Sequence, residues 1–151
     1  MAKFVYKMQS LLNIKEKLEE QEKTAYGLAK AALNEEEEKL ARLVAKKNRY
    51  VEEKRQKMSE VLNVLELSKL EQAIHSTELL IKDQVLVVKR AEKAVALAQL
   101  RLENAMKERK IQEKLRENAF EEFKKEVEAA EQQEINELVT YRFGNGKERE
   151  G

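Results

Sequence analysis

Proline is absent from this 151-residue chain, and its four glycines leave a gap from Gly27 to Gly144 without one. Proline costs about 3 kcal/mol inside a helix and glycine about 1, so that stretch carries no strong helix breaker. Cysteine is missing, which excludes disulfides and thiolate metal sites and fits a reducing compartment. Tryptophan is missing too and aromatics make up 5% of the chain, less than the core of a compact globule of this length normally uses. The longest aliphatic run is Val85-Leu86-Val87-Val88, far short of the ~20 apolar residues of a membrane span. Residues 1–7 have a basic start but no apolar stretch of signal-peptide length behind it. Neither sign of charge dominates: 30 Lys+Arg against 29 Asp+Glu gives +1, so no bulk field attracts nucleic acid or an anionic membrane. The sequence predicts a mature cytoplasmic protein whose function comes from a rod rather than a pocket.

What remains is charge, 39% of all residues, with apolar residues threaded through it at helical spacing. In the first half the row is Phe4, Met8, Leu11, Leu18, Ala25 and Ala29, then Leu33, Leu40, Leu43, Tyr50, Met58, Val61 and Leu65, with an expected register slip between Ala25 and Leu33. The second half is stricter. Ile74, Ile81, Val88, Val95 and Leu102 recur at steps of seven, and Ala91, Ala98 and Ala105 lie three residues after members of that row. A stripe of two in seven is a coiled-coil surface, not the broader face of a helix lying on a globular core. A hairpin lets each half cover the other's stripe, whereas one continuous helix needs a separate partner chain.

Three cues favour a turn. Lys54, Arg55 and Lys57 suit a helix C-terminus, Glu60, Glu66 and Glu71 suit a new N-terminus, and Ser59, Asn63 and Ser68 lie among them. Asn63-Val64-Leu65-Glu66 and Ser68-Lys69-Leu70-Glu71 both have capping-box spacing. The expected fold is all-α, a long antiparallel two-helix coiled-coil hairpin with unequal arms, forming a single domain over 1–143. Helix 1 is expected over about 4–58, the turn within 58–68, helix 2 over about 63–141, and a flexible polar tail over 144–151.

No catalytic, cofactor or metal site emerges. His75 is a lone imidazole without a clustered carboxylate pair. Gly144-Asn145-Gly146-Lys147 lacks the strand, spacers and following helix of a phosphate loop. The carboxylates of Glu35 to Glu38 splay around a helix and cannot converge on one ion. Two charge runs stand out. From Lys39 to Lys57 eight cations face only Glu52 and Glu53, a local +6, but Tyr50 alone could stack a base, so nucleic acid is not the expected partner. In the distal part of helix 2, Glu121, Glu122, Glu126, Glu128, Glu131, Glu134 and Glu137 oppose Lys124 and Lys125, beside an apolar row of Phe120, Phe123, Val127 and Leu138. That row fits either a partner or packing against Phe4 and Tyr6.

The opening Phe4-Val5-Tyr6-Lys7-Met8-Gln9-Ser10-Leu11-Leu12-Asn13-Ile14-Lys15-Glu16, an aromatic-plus-Leu-Leu start passing directly into a charged helix, resembles the flagellar export protein FliJ family of Gram-positive type. Leu70-Glu71-Gln72-Ala73-Ile74 is similar to that family's helix 2 start, and Gln132-Gln133-Glu134-Ile135-Asn136-Glu137-Leu138 to its closing run, with Asn136 where aspartate is common. The resemblance spans essentially the whole chain. It implies a non-enzymatic, cofactor-free component of the flagellar type III export apparatus that serves flagellum biogenesis and motility. Such a stalk sits in the hexameric export ATPase ring, promotes its assembly and activity, contacts the transmembrane export gate and handles export chaperones. It would be cytoplasmic, peripheral at the inner membrane face only through its partners.

Carried over residue by residue, the resemblance puts gate contacts at Leu43, Lys46 and Tyr50 on helix 1 and at Leu70, Ala73 and Thr77 on helix 2. Lys46 stands where an aromatic is expected and Thr77 where a larger polar residue is. By spacing alone, Leu43 and Tyr50 are equally good seam residues. The ring-inserted end carries Phe120, Phe123, Val127 and Leu138. A central-stalk subunit of a rotary ATPase and a homodimeric coiled-coil tether are the alternatives.

Overall fold

The computed structural model describes residues 2–61 and 63–150, with 145–150 described by their backbone alone. Two helices pack against each other, α1 over Gln9–Met58 (50 residues) and α2 over Val64–Glu150 (87 residues), and no strand occurs among the described residues. The fold is the expected all-α helical hairpin.

The turn falls where the capping signals put it. At the end of α1 the Ser59 hydroxyl donates to the Gln56 carbonyl at 2.7 Å, and the Ser59 and Glu60 amides donate to the Gln56 and Lys57 carbonyls at 3.2 and 3.3 Å. These tightened bonds satisfy carbonyls that the ending helix leaves open. Asn63 then caps α2: its Oδ1 accepts the Leu65 and Glu66 amides at 3.1 and 3.4 Å, and its carbonyl takes the Leu67 amide at 3.1 Å. Of the two capping-box candidates the first is used. Glu66, free of the reciprocal role, pairs instead with Lys57 across the turn at 3.3 Å.

Both outer ends differ from expectation. α1 begins at Gln9 rather than near Phe4, after a turn in which the Gln9 amide donates to the Tyr6 carbonyl at 3.2 Å. Lys3 and Lys7 would put cations on the positive end of the helix dipole, and no capping side chain precedes them. α2 runs on through Gly144 to Glu150, past the end expected near Tyr141 and into the segment expected to be a flexible tail. No described glycine has a left-handed backbone, so the signature of a glycine-terminated helix is absent from Gly144. Without proline, the cost of about 1 kcal/mol per glycine is too small to stop the helix. Gly151 lies outside the described residues.

The chain divides into two compact units, one of Glu20–Asn104 and one of Met1–Glu19 with Ala105–Gly151. In the first, Lys47–Glu78 (3.3 Å), Lys54–Glu71 (3.2 Å) and Lys57–Glu66 pair across the helices, partner numbers falling on α2 as they rise on α1. The second repeats this antiparallel order, with Gln9–Arg116 (2.9 Å) and Lys15–Glu108 (2.9 Å).

Burial follows steps of three and four throughout. On α1 the covered positions are Leu12, Lys15, Glu19, Glu22, Tyr26, Ala29 and Leu33, continuing without a break to Lys57. The expected register slip is therefore not there. Leu18, 39% exposed, and the exposed Ala25 lie beside the seam, and Glu19, Glu22 and Tyr26 occupy it. Exposed Met58, Val61 and Leu65 are likewise outside it. On α2 the rows of Ile74 to Leu102 and Ala91 to Ala105 are the seam as expected, extended by Thr77 and Gln84 at one end and Arg109 and Gln112 at the other. Among the described residues, only Leu12, Leu70, Val88 and Ala105 of the apolar side chains are buried. With full burial worth about 1.5–3 kcal/mol for a large apolar side chain, this seam is thin. The stems of Lys47, Lys54 and Lys57 cover much of the rest, their charged heads reaching outward to carboxylates.

Candidate functional site

In the terminal unit the chain before α1 lies against α2 through its first aromatic residue. The Phe4 ring meets Phe120 edge-on at 5.2 Å and Phe123 at 5.4 Å, and Arg116 approaches its face at 5.9 Å. Of the expected ring-binding residues, Phe120 and Phe123 thus pack against Phe4, Val127 is half-buried, and Leu138 is 60% exposed. Beyond Val127 every residue to Gly144 is exposed, and this stretch displays Ile135, Leu138, Val139, Tyr141 and Phe143. Glu134, Glu137, Leu138 and Tyr141 together line an open groove there. A concentration of large apolar side chains in water is a feature of interaction surfaces.

Below this end, charge enters the seam. Arg109 donates from Nε to Glu19, which is 5% exposed, and from Nη1 to Glu113 at 2.8 Å. The Glu19 and Glu113 hydrogen bonds, with their charges, hold the Arg109 guanidinium above its ordinary value. Three residues on, Gln112 Oε1 is buried without a hydrogen-bond partner. Breaking such a pair leaves a charge with no counter-ion in a poorly solvated place, so this layer discriminates strongly against neighbouring registers. Nothing in the apolar pattern announces it. The signal was Arg109 and Arg116 continuing the seven-residue row of Leu102.

In the Glu20–Asn104 unit, Gln84 Nε2 donates to Glu36 Oε2 at 2.6 Å and to the Glu36 carbonyl at 3.0 Å. Gln84, and then Lys39, hold the Glu36 carboxyl below its ordinary value. The expected gate-facing residues divide. Leu70 and Thr77, 8% and 3% exposed, lie in the seam, with the Thr77 hydroxyl donating to the Ala73 carbonyl at 2.7 Å. Leu43 and Tyr50 are half-buried at seam positions of α1, Ala73 is half-buried beside the seam, and Lys46 is exposed with its ammonium 5.9 Å from the Tyr50 ring centre. Leu43, Lys46 and Tyr50 therefore share one side of α1, while Leu70 and Thr77 are covered.

The basic run sorts by face. Lys39, Lys47, Lys54, Arg55 and Lys57 make ion pairs, whereas Arg42, Lys46 and Arg49 make none among the described residues. The sequence masks this, because Glu38 and Glu53 stand four residues from Arg42 and Arg49; Glu53 pairs with Lys57 instead, at 3.7 Å.

A family model described as Flagellar FliJ protein matches residues 4–148. The chain belongs to the flagellar FliJ family. Membership gives it a role in flagellar protein export, and the match takes in both units and every surface described above. Comparisons with curated proteins and with solved structures find no match. Among the described residues no helix is long and apolar enough to cross a membrane.

Proposed function

We propose that this FliJ-family protein is the stalk of the flagellar export ATPase: its terminal unit enters the hexameric ring and promotes ring assembly and hydrolysis, and the Glu20–Asn104 unit meets the export gate and the export chaperones. The observation that carries the reading is the uncovered stretch of α2 after Val127, where Ile135, Leu138 and Val139 stand in water flanked by Glu131, Glu134 and Glu137. A helix of this kind fits a receiving surface that is apolar at its centre and basic at its rim. The carboxylates around the stripe limit its adhesion, which a part that works inside a ring requires. On the gate side, exposed Lys46 and half-buried Leu43, Tyr50 and Ala73 are the accessible members of the expected set, and the covered Leu70 and Thr77 would act by holding them in place.

The test is ATP hydrolysis by the cognate flagellar export ATPase with and without the protein. Stimulation with hexamer formation is expected. Val127→Ser/Leu138→Ser, which disturbs no ring contact of Phe4, should abolish it, and Leu43→Ala/Tyr50→Ala should leave it standing while weakening gate binding. No stimulation and no ring binding would refute the stalk and leave a homodimeric tether as the reading to pursue.

A further inference from the structure

The unpaired cations of α1 are spaced for a ligand of their own. Arg42, Lys46 and Arg49 follow one another by four and three residues and so form one edge of the helix, about 10 Å long at 1.5 Å per residue. They border an open groove completed by Lys39, Leu43 and Gln84, and Lys46, Arg49, Tyr50 and Glu53 line a second hollow at its neighbouring end, where the Glu53 carboxylate pairs with Lys57. Other cations of the same run, Lys47, Lys54 and Lys57 among them, are neutralised by carboxylates of α2. Three like charges left together without counter-ions repel one another, and a ligand that supplies carboxylates relieves that repulsion.

We propose that this edge receives an acidic segment of a partner protein that also carries an aromatic or leucine side chain. Three or four residues of extended chain span the 10 Å from Arg42 to Arg49 at about 3.3 Å per residue, so carboxylates on alternate residues face the cations. The apolar side chain, on a residue flanking the acidic ones, seats against Leu43 and Tyr50. Guanidinium groups at both ends grip carboxylates in bidentate fashion, and Lys46, resting on Tyr50, adds a point charge at the centre. A bilayer is a poorer match, because Leu43 and Tyr50 are half-buried in the helix pair: each keeps room for one side chain to rest on it, but neither stands free to insert among lipid tails. The proposal deepens the gate-facing reading above and rests on it for the place of the contact, while fixing the chemistry of what binds.

The experiment uses the full chain labelled for amide NMR, titrated with a glutamate–tyrosine copolymer, with polyglutamate, and with phosphatidylglycerol vesicles. The copolymer is expected to shift amides of residues 39–50 and to bind more tightly than polyglutamate. Its affinity should fall about tenfold or more between low and high salt. Arg42→Gln/Lys46→Gln/Arg49→Gln should abolish the shifts with the thermal melt unchanged, whereas Lys89→Gln/Arg90→Gln/Lys93→Gln, an equal loss of charge elsewhere on the same unit, should keep them. Copolymer binding that survives the first variant, or vesicles that shift the same amides more strongly, would overturn the proposal. A parallel titration with the soluble part of the cognate gate protein separates the two readings. Gate binding indifferent to salt and to the first variant sinks the acidic-segment assignment alone. Copolymer binding without gate binding supports that assignment and removes the gate.

Discussion

Replacing Phe4 with alanine tests how the terminal unit is closed. The Phe4 ring is half-buried and meets two aromatic rings at 5.2 and 5.4 Å, so the substitution removes part of a burial worth about 1.5–3 kcal/mol and two ring pairs worth about 0.5–1.5 kcal/mol each. Allowing for the exposed fraction, the ring holds the segment before α1 with about 2–3 kcal/mol. Among the described residues that segment has two backbone bonds into the helix start, from the Gln9 amide to Tyr6 and from the Leu12 amide to Met8, so the loss is spent on local opening before it reaches the global transition. Amide exchange in the first turn of α1 should accelerate about thirtyfold or more, at 1.4 kcal/mol per factor of ten. The melting temperature should drop by no more than about 4–8 °C. Val5→Ala is the control, because Val5 is 74% exposed, and it should change stability by less than about 0.5 kcal/mol. Unchanged exchange in Gln9–Leu12 for Phe4→Ala would refute the aromatic closure, and with it the claim that Phe120 and Phe123 pack against Phe4.

Three other substitutions probe separate features. Asn63→Ala should cost about 1 kcal/mol in urea denaturation by removing the α2 cap, while Ser68→Ala, at the unused capping box, should fall within about 0.5 kcal/mol of wild type. Glu36→Gln should flatten the acid limb of the stability curve. The folded carboxyl is held low, so its contribution is complete above the ordinary value near 4.3 and is lost as pH falls through the lower folded value, and melts between about pH 5 and 3 will show whether this limb persists. Gly27→Ala should raise stability by about 0.5–1 kcal/mol, because Gly27 is helical and an added Cβ meets nothing within 4 Å; a loss would mean that the site is tighter than it looks.

What the sequence reveals depends on which atoms fill the seam. From Val88 to Ala105 the seam of α2 is aliphatic or alanine, and the stripe, its period and its register are all legible. From Lys15 to Glu22 it is Lys, Glu and Glu, so an apolar pattern search jumps to Leu18 and Ala25 beside it and invents a slip. The turn was readable because Asn63 caps by local chemistry, independent of tertiary packing. The start of α1 was not, because it depends on Phe4 reaching two rings far along the chain. The candidate surfaces were half legible. The basic and acidic runs show in the sequence, but which cations stay unpaired depends on the carboxylates that α2 brings, and that Phe4 packs at Phe120 and Phe123 rather than at Leu138 is a tertiary choice.

The antiparallel pairing also orders events during synthesis. Lys57 and Glu66 can meet as soon as the turn is made, whereas Gln9 must wait for Arg116, 107 residues later. At ribosomal speeds of about 5–20 residues per second, the first part of α1 spends roughly 5–20 s without its partner. A seam built from Lys15, Glu19 and Glu22 keeps that waiting helix soluble, where leucines at the same positions would invite a neighbouring nascent chain to zip onto it. The residues that hide the register from a reader of the sequence are the ones that shield the newborn helix from the wrong partner.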